Sequence, residues 1–265
     1  MNLPPYPTLA VERSGEHVLV VRLNRPRVLN ALDTQMARDT LDLWTRLAAE
    51  PGEIRCAVLT GAGERAFRAG GDLKERDGMS DAAWRAQHEI FERAFTALLE
   101  CTLPVIAAVN GDAFGGGLEM ALCCDFMYAV PEARFAQSEV RLGIMPGGMG
   151  TQNLPRAVGE RRAKELVLAA RPFSAAEAAA WGLVNRVCAR ATLLEEALGC
   201  AQAIAANAPL AVRQAKKSIH YGLQMDLLTG YRYEIEAYNR LVASEDRLEG
   251  VRAFNEKRKP RFRGL

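Results

Sequence analysis

Five short, mainly apolar runs restrict what this chain can become: Val18 to Leu23, Cys56 to Thr60, Val105 to Val109, Phe126 to Val130 and Leu183 to Cys188. Each is bounded by turn-forming residues, and alternation with polar positions is largely absent. Such runs read as strands buried on both faces, which requires layers above and below them. Helical stretches lie between. Asp33 can cap a helix carrying Met36, Leu41, Trp44 and Leu47 on one side. A second helix is predicted from about Asp81 to Glu100, with Trp84, Ile90, Phe91, Phe95 and Leu98 as its apolar side. Ser174 and Glu177 form a capping-box pattern, and Gly182 stands where that helix should end. Strands alternating with helices make the fold class α/β.

From about residue 192 the pattern changes. Leu193 to Asn207, Leu210 to Tyr221, Leu227 to Val242 and Arg247 to Lys257 read as successive helices with no strand between them. The chain therefore divides into an α/β core, 1–191, and a helical region, 192–265, suited to covering the core or building an oligomer contact.

Composition excludes several kinds of function. The 265 residues carry a formal net charge of +2, too small to suggest a nucleic-acid or other polyanionic partner. The six cysteines include no pair at metal-ligand spacing, so no metal site is expected. No apolar run approaches the roughly 20 residues a bilayer requires, and no secretory pattern opens the chain. The expectation is a reduced, cytoplasmic protein without a membrane partner. There is no Gly-x-Ser-x-Gly, no phosphate loop and no His-x-x-x-His pair. His17, His88 and His220 stand far apart with no obvious cysteine or carboxylate grouping.

The stretch from Ala108 to Asp125 is more informative. A buried strand runs into a loop, then Gly115, Gly116 and Gly117, and a helix begins near Leu118 with Glu119 in its first turn. Glycines there permit close approach to a backbone whose first N–H groups have no partner within the helix. That arrangement suits an oxygen gaining negative charge; a tight strand–helix junction is the alternative. A second glycine turn, Ala66 to Asp72, follows the strand at 56–60, and the Gly71 N–H offers another donor. A third segment places Glu139 between a short strand and a further glycine-rich turn. Two carboxylates converging on one pocket can divide proton duties, because burial and repulsion push their proton affinities apart.

Taken together, Leu23-Asn-Arg-Pro…Asn30-Ala-Leu32, Ala66-Phe…Ala-Gly-Gly-Asp72, Asn110-Gly…Gly-Leu-Glu119, Glu139…Leu-Gly-Ile-Met-Pro-Gly and Gly150-Thr-Gln152 resemble the enoyl-CoA hydratase/isomerase (crotonase) family over nearly the whole chain. The resemblance implies a spiral of ββα units followed by a helical trimerisation region, in homotrimers or hexamers. It implies that Gly71 and Gly116 donate N–H groups to a thioester oxygen, that Glu139 protonates Cα, and that Glu119 holds the water attacking Cβ of a 2-enoyl-CoA. Coenzyme A then arrives on the substrate and no further cofactor is needed. Ala69, Asp72, Leu73 and Lys74 should border the acyl-CoA path, with Phe254 and Lys257 holding the coenzyme, from a neighbouring subunit. Arg68 stands where a small residue is common, at what should be the pocket entrance; Leu118 and Asn153 are further departures. A Δ3-Δ2-enoyl-CoA isomerase using the same oxyanion site is the alternative, and an RNA-binding role through Lys257 to Arg263 belongs to a different class.

Overall fold

The structure is a computed structural model that describes residues 3–265. A hairpin of β1 (Leu9–Ser14) and β2 (Val18–Leu23) is followed by α1 (Thr34–Ala49), capped by Asp33, whose carboxylate accepts from the Met36 N–H at 2.8 Å. Three strand pairs come next, each ending in helical or 3-10 structure. β3 (Cys56–Gly61) and β4 (Ala66–Arg68) lead to α2 (Leu73–Arg76) and α3 (Asp81–Leu99). β5 (Val105–Val109) and β6 (Asp112–Phe114) lead to α4 (Gly116–Cys123). β7 (Phe126–Ala129) and β8 (Arg134–Ala136) lead to a 3-10 turn, Glu139–Leu142. Then follow α5 (Gly150–Val158), α6 (Glu160–Ala169), β9 (Phe173–Ser174), α7 (Ala175–Ala180) and β10 (Arg186–Val187).

The first strand of each pair enters one sheet and the second enters another. The larger sheet has the order β1-β2-β3-β5-β7-β10, parallel apart from β1 against β2; the smaller has the order β4-β6-β8-β9, parallel apart from β8 against β9. Stepping from sheet to sheet before each crossover produces the spiral of ββα units. Every residue of β3 and β5 is buried, as mainly apolar runs require. The run at 183–188 is a correction: only Arg186 and Val187 form a strand, both exposed, because β10 lies at the sheet edge. Whereas β8 is the short strand expected before Glu139, β1, β4, β6 and β9 were not read from sequence. Nor were α5 and α6, which begin within and after a glycine-rich segment.

After residue 192 come α8 (Leu193–Ala205), α9 (Pro209–Gly222), α10 (Leu227–Val242) and α11 (Glu245–Asn255). α8 packs on β2, β3 and β5 and buries Leu193, Ala197, Ala201 and Ala205, so it belongs to the core. By contrast, α9 and α10 pair with each other and leave Leu223, Leu227, Leu228 and Tyr238 exposed. Among the described residues, no helix is long and apolar enough to cross a membrane.

The spiral brings β4 against the first turn of α4, where a Cβ on Gly117 would overlap the Arg68 carbonyl oxygen. Backbone cannot retreat as a side chain can. Gly117→Ala is therefore expected to destabilise the protein by about 3 kcal/mol or more. Gly199→Ala, on an exposed helical position with open space around it, should change stability by less than about 1 kcal/mol. Urea midpoints of the two variants check this; equal midpoints would contradict the packing described.

Candidate active site

Two asparagines govern how the chain leaves the large sheet. Asn30, fully buried, donates through Nδ2 to the carbonyls of Ala62, Ala66 and Phe67. The Asn110 side chain accepts from the Gly61 N–H at 3.0 Å and donates to the carbonyls of Gly61 and Gly63. Together they fix the path from β3 into β4 and on to Gly70-Gly71. There the Leu32 N–H donates to Gly70 and the Asp72 N–H donates to Leu32, leaving the Gly71 N–H between them without an acceptor. From β6 the chain turns at Gly115 (φ 53°, ψ −126°), whose N–H donates to Ala136 at 2.7 Å. Gly116 then opens α4 with an N–H that also has no acceptor among the described residues. The two donors are neighbours: a Cβ on Gly70 would stand 3.7 Å from the Gly116 nitrogen.

Glu119 lies one turn into α4 and is 3% exposed. Its Oε1 accepts from the N–H groups of Gly148 (2.7 Å) and Gly150 (2.8 Å), on the glycine-rich turn that precedes α5. Burial raises the proton affinity of Glu119, while those two N–H groups and the Arg68 charge oppose the rise. Glu139, at the start of the 3-10 turn, is 8% exposed, and its Oε2 has no partner. Its Oε1 lies 2.8 Å from where a Gly115 Cβ would sit, so only glycine fits at 115. Burial, together with the Glu119 charge, pushes the Glu139 carboxyl up to about 7. Glu119 is held by two close N–H groups, whereas Glu139 keeps one oxygen without a partner.

Both carboxylates border a cavity of about 720 Å³ that also contains Gly71 and Gly116. Its apolar wall comes from Leu32, Leu73, Trp84, Phe91, Leu142 and Met145. The sequence-predicted residues Glu119, Glu139, Gly71, Gly116, Ala69 and Leu73 therefore meet in one place. Four others do not line it. Asp72 caps α2 and pairs with Arg25 at 3.0 Å, and Lys74 points to solvent. Phe254, 84% exposed on α11, and Lys257, which follows it, also lie elsewhere on the chain surface. Arg68, expected at the pocket entrance, does border the cavity but is wholly buried, beside Gly116. His88 was passed over in the sequence, yet its ring lies 2.6 Å from the position a Gly147 Cβ would take. Arg76, also on the wall, stacks on Trp84 at 4.1 Å. Only the α3 periodicity hinted at His88, by placing it near Trp84 and Phe91 on one helix; nothing in the sequence pointed to Arg76.

Comparisons with known proteins agree with this geometry. A family profile described as enoyl-CoA hydratase/isomerase matches residues 13–264. The short-chain-enoyl-CoA hydratase of Clostridium acetobutylicum is 41% identical over 94% of this chain and 95% of its own length. The mitochondrial enoyl-CoA hydratase of Pongo abelii is 40% identical over 96% of this chain and 87% of its own. Among solved structures, an enoyl-CoA hydratase from Bacillus anthracis superimposes with a TM-score of 0.95 at 42% identity, covering 97% of this chain and 100% of that one. With its spiral of ββα units and the profile matched almost end to end, the chain belongs to the enoyl-CoA hydratase/isomerase family.

Proposed function

We propose that this chain hydrates 2-enoyl-CoA thioesters to 3-hydroxyacyl-CoA. The observation that carries the reading is a pair of buried carboxyl groups of unequal proton affinity, bordering the cavity into which two acceptorless N–H groups open. The thioester oxygen accepts from the Gly71 and Gly116 N–H groups. As the water oxygen bonds to Cβ, the π pair moves to Cα and charge builds on that oxygen, where each donor is worth ~3–4 kcal/mol. Glu119, whose Oε1 accepts from the N–H groups of Gly148 and Gly150, orients the water and takes its proton. Glu139, which keeps its proton to about pH 7, delivers it to Cα. Proton exchange between the two acids restores the starting state. Two carboxyls and two amides perform every step, with coenzyme A carried by the substrate. Short enoyl groups are the substrates to test first, since the clostridial relative is named a short-chain-enoyl-CoA hydratase. All six cysteines are free thiols, and burial holds Cys123 and Cys124 in the protonated form, which supports a reducing, cytoplasmic setting.

The exposed apolar residues of α9 and α10 are read as the contact with other copies, in a trimer or a pair of trimers. The exposure of Phe254 and Lys257 fits a role at a neighbour's cavity mouth, with Lys257 offering a point charge to a coenzyme phosphate.

With crotonyl-CoA, loss of the conjugated thioester absorbance measures hydration; Glu119→Gln and Glu139→Gln should each cut kcat by roughly 10²–10⁴. Retention of the wild-type rate by either variant rejects the two-carboxyl mechanism. Because Glu139 must hold its proton, kcat/KM should decline as pH rises through about 7. A profile flat through neutrality contradicts that assignment. Light scattering should give a mass that is a multiple of three chains. Leu227→Asp combined with Leu228→Asp should reduce it to one chain, and an unchanged mass places the contact elsewhere.

A further inference from the structure

The chemistry above leaves Arg68 without a part. Its side chain ends β4 in full burial, between the Phe95 ring on α3 (Cζ 5.3 Å from the ring centre) and Met120 on α4 (Nη1 to Sδ 3.5 Å). Nε and Nη2 have no acceptor. A Cβ on Gly116 would lie 3.3 Å from Nη2 and 3.7 Å from Glu119 Oε2, so guanidinium and carboxylate both approach one backbone position. A buried cation without a bonded partner is expensive and is tolerated where a nearby opposite charge offsets it.

The charged and titratable groups around Arg68 are few. From α4 come Glu119 and the Cys123 thiol, which burial keeps neutral. Glu139 approaches from the 3-10 turn. α3 presents the Phe95 ring, with His88 two turns earlier at the cavity wall and paired with Glu92 at 3.3 Å. Glu119 is the strongest of these influences. Burial lowers the Arg68 guanidinium to about 9, which leaves it charged at neutral pH. One cation, one carboxylate and one neutral acid then balance. Arg68 borders the cavity, but its Nε and Nη2 are buried, so the contact that matters is with the neighbouring carboxylate.

We propose that Arg68 is the fixed countercharge of this site, a positioning residue that acts through Glu119 to keep it the ionised member of the pair while Glu139 retains the proton. The proposal rests on the hydratase reading for its consequence in catalysis, but the state of Glu119 can be read without turnover.

The test compares Arg68→Met, Arg68→Gln and Arg68→Lys with the wild type, alongside His88→Gln to identify any imidazole titration. Carboxyl titrations are followed by infrared spectroscopy on substrate-free protein and assigned with Glu119→Gln; kcat/KM profiles with crotonyl-CoA are recorded in parallel. Removing a positive charge raises the affinity of Glu119 for its proton. Both neutral variants should therefore move the Glu119 titration, and the acidic limb of kcat/KM, upward by about one pH unit or more. Activity below that limb should fall about tenfold. Arg68→Lys should restore both. An unmoved Glu119 titration in the neutral variants overturns the proposal. Failure of both neutral variants to fold overturns it too, since Arg68 would then be a structural prop. A shifted titration in a protein whose wild type hydrates no enoyl-CoA rejects the hydratase reading and leaves the Arg68 assignment standing.

Discussion

A carboxylate cannot stay ionised in a dry interior unless donors replace the water it has lost, and Glu119 obtains two of them from the backbone of a single turn. That bond pair ties α4 to the start of α5 and fixes the course of residues 143–149, which wall the cavity. The geometry admits little substitution. A Cβ on Gly148 would come within 2.9 Å of Glu119 Oε2, and one on Gly150 within 2.8 Å of Oε1. The glycines of this turn are there because the carboxylate must touch main chain.

The second acid is built the opposite way. Glu139 has a bare Oε2 and stands beside Gly115, so burial and the nearby anion both favour its neutral form. Similar side chains acquire different proton affinities because Glu119 has two close N–H donors and the Arg68 charge against its burial, while Glu139 is buried beside the Glu119 charge. Between them lie two N–H groups left over where β4 and β6 hand the chain on. The large sheet supplies the fixed base for this arrangement: β3 and β5 are wholly buried, and Asn30 and Asn110 hold the turns that leave them.

Much of this was legible because the physics is local. The strands at 18–23 and 105–109 have the bounds their apolar runs suggest, Asp33 caps its helix, and Ser174 and Glu177 make both bonds of a capping box. The three-residue strands of the smaller sheet left no periodic signal, since pairing across the spiral, not sequence alternation, defines them. The run at 183–188 misled for a related reason: most of its apolar residues pack from a loop, outside any ladder. At the site, glycine spacing marked the donors and acids. His88, Arg76 and buried Arg68 were invisible as neighbours, because their meeting depends on how α2 and α3 lie across β4 and α4. Asp72 illustrates the converse, a motif residue whose carboxylate is engaged with Arg25.

The central claim is geometric: one thioester oxygen must reach both free N–H groups with a water held between the two acids. A crystal structure with butyryl-CoA, a saturated thioester that cannot be hydrated, tests it most directly. The account predicts the thioester oxygen about 2.7–3.1 Å from the nitrogens of Gly71 and Gly116, with Glu139 facing Cα and Glu119 holding a bound water beside Cβ. A thioester oxygen bonded elsewhere, or an acyl chain lying away from both carboxyl groups, would contradict it.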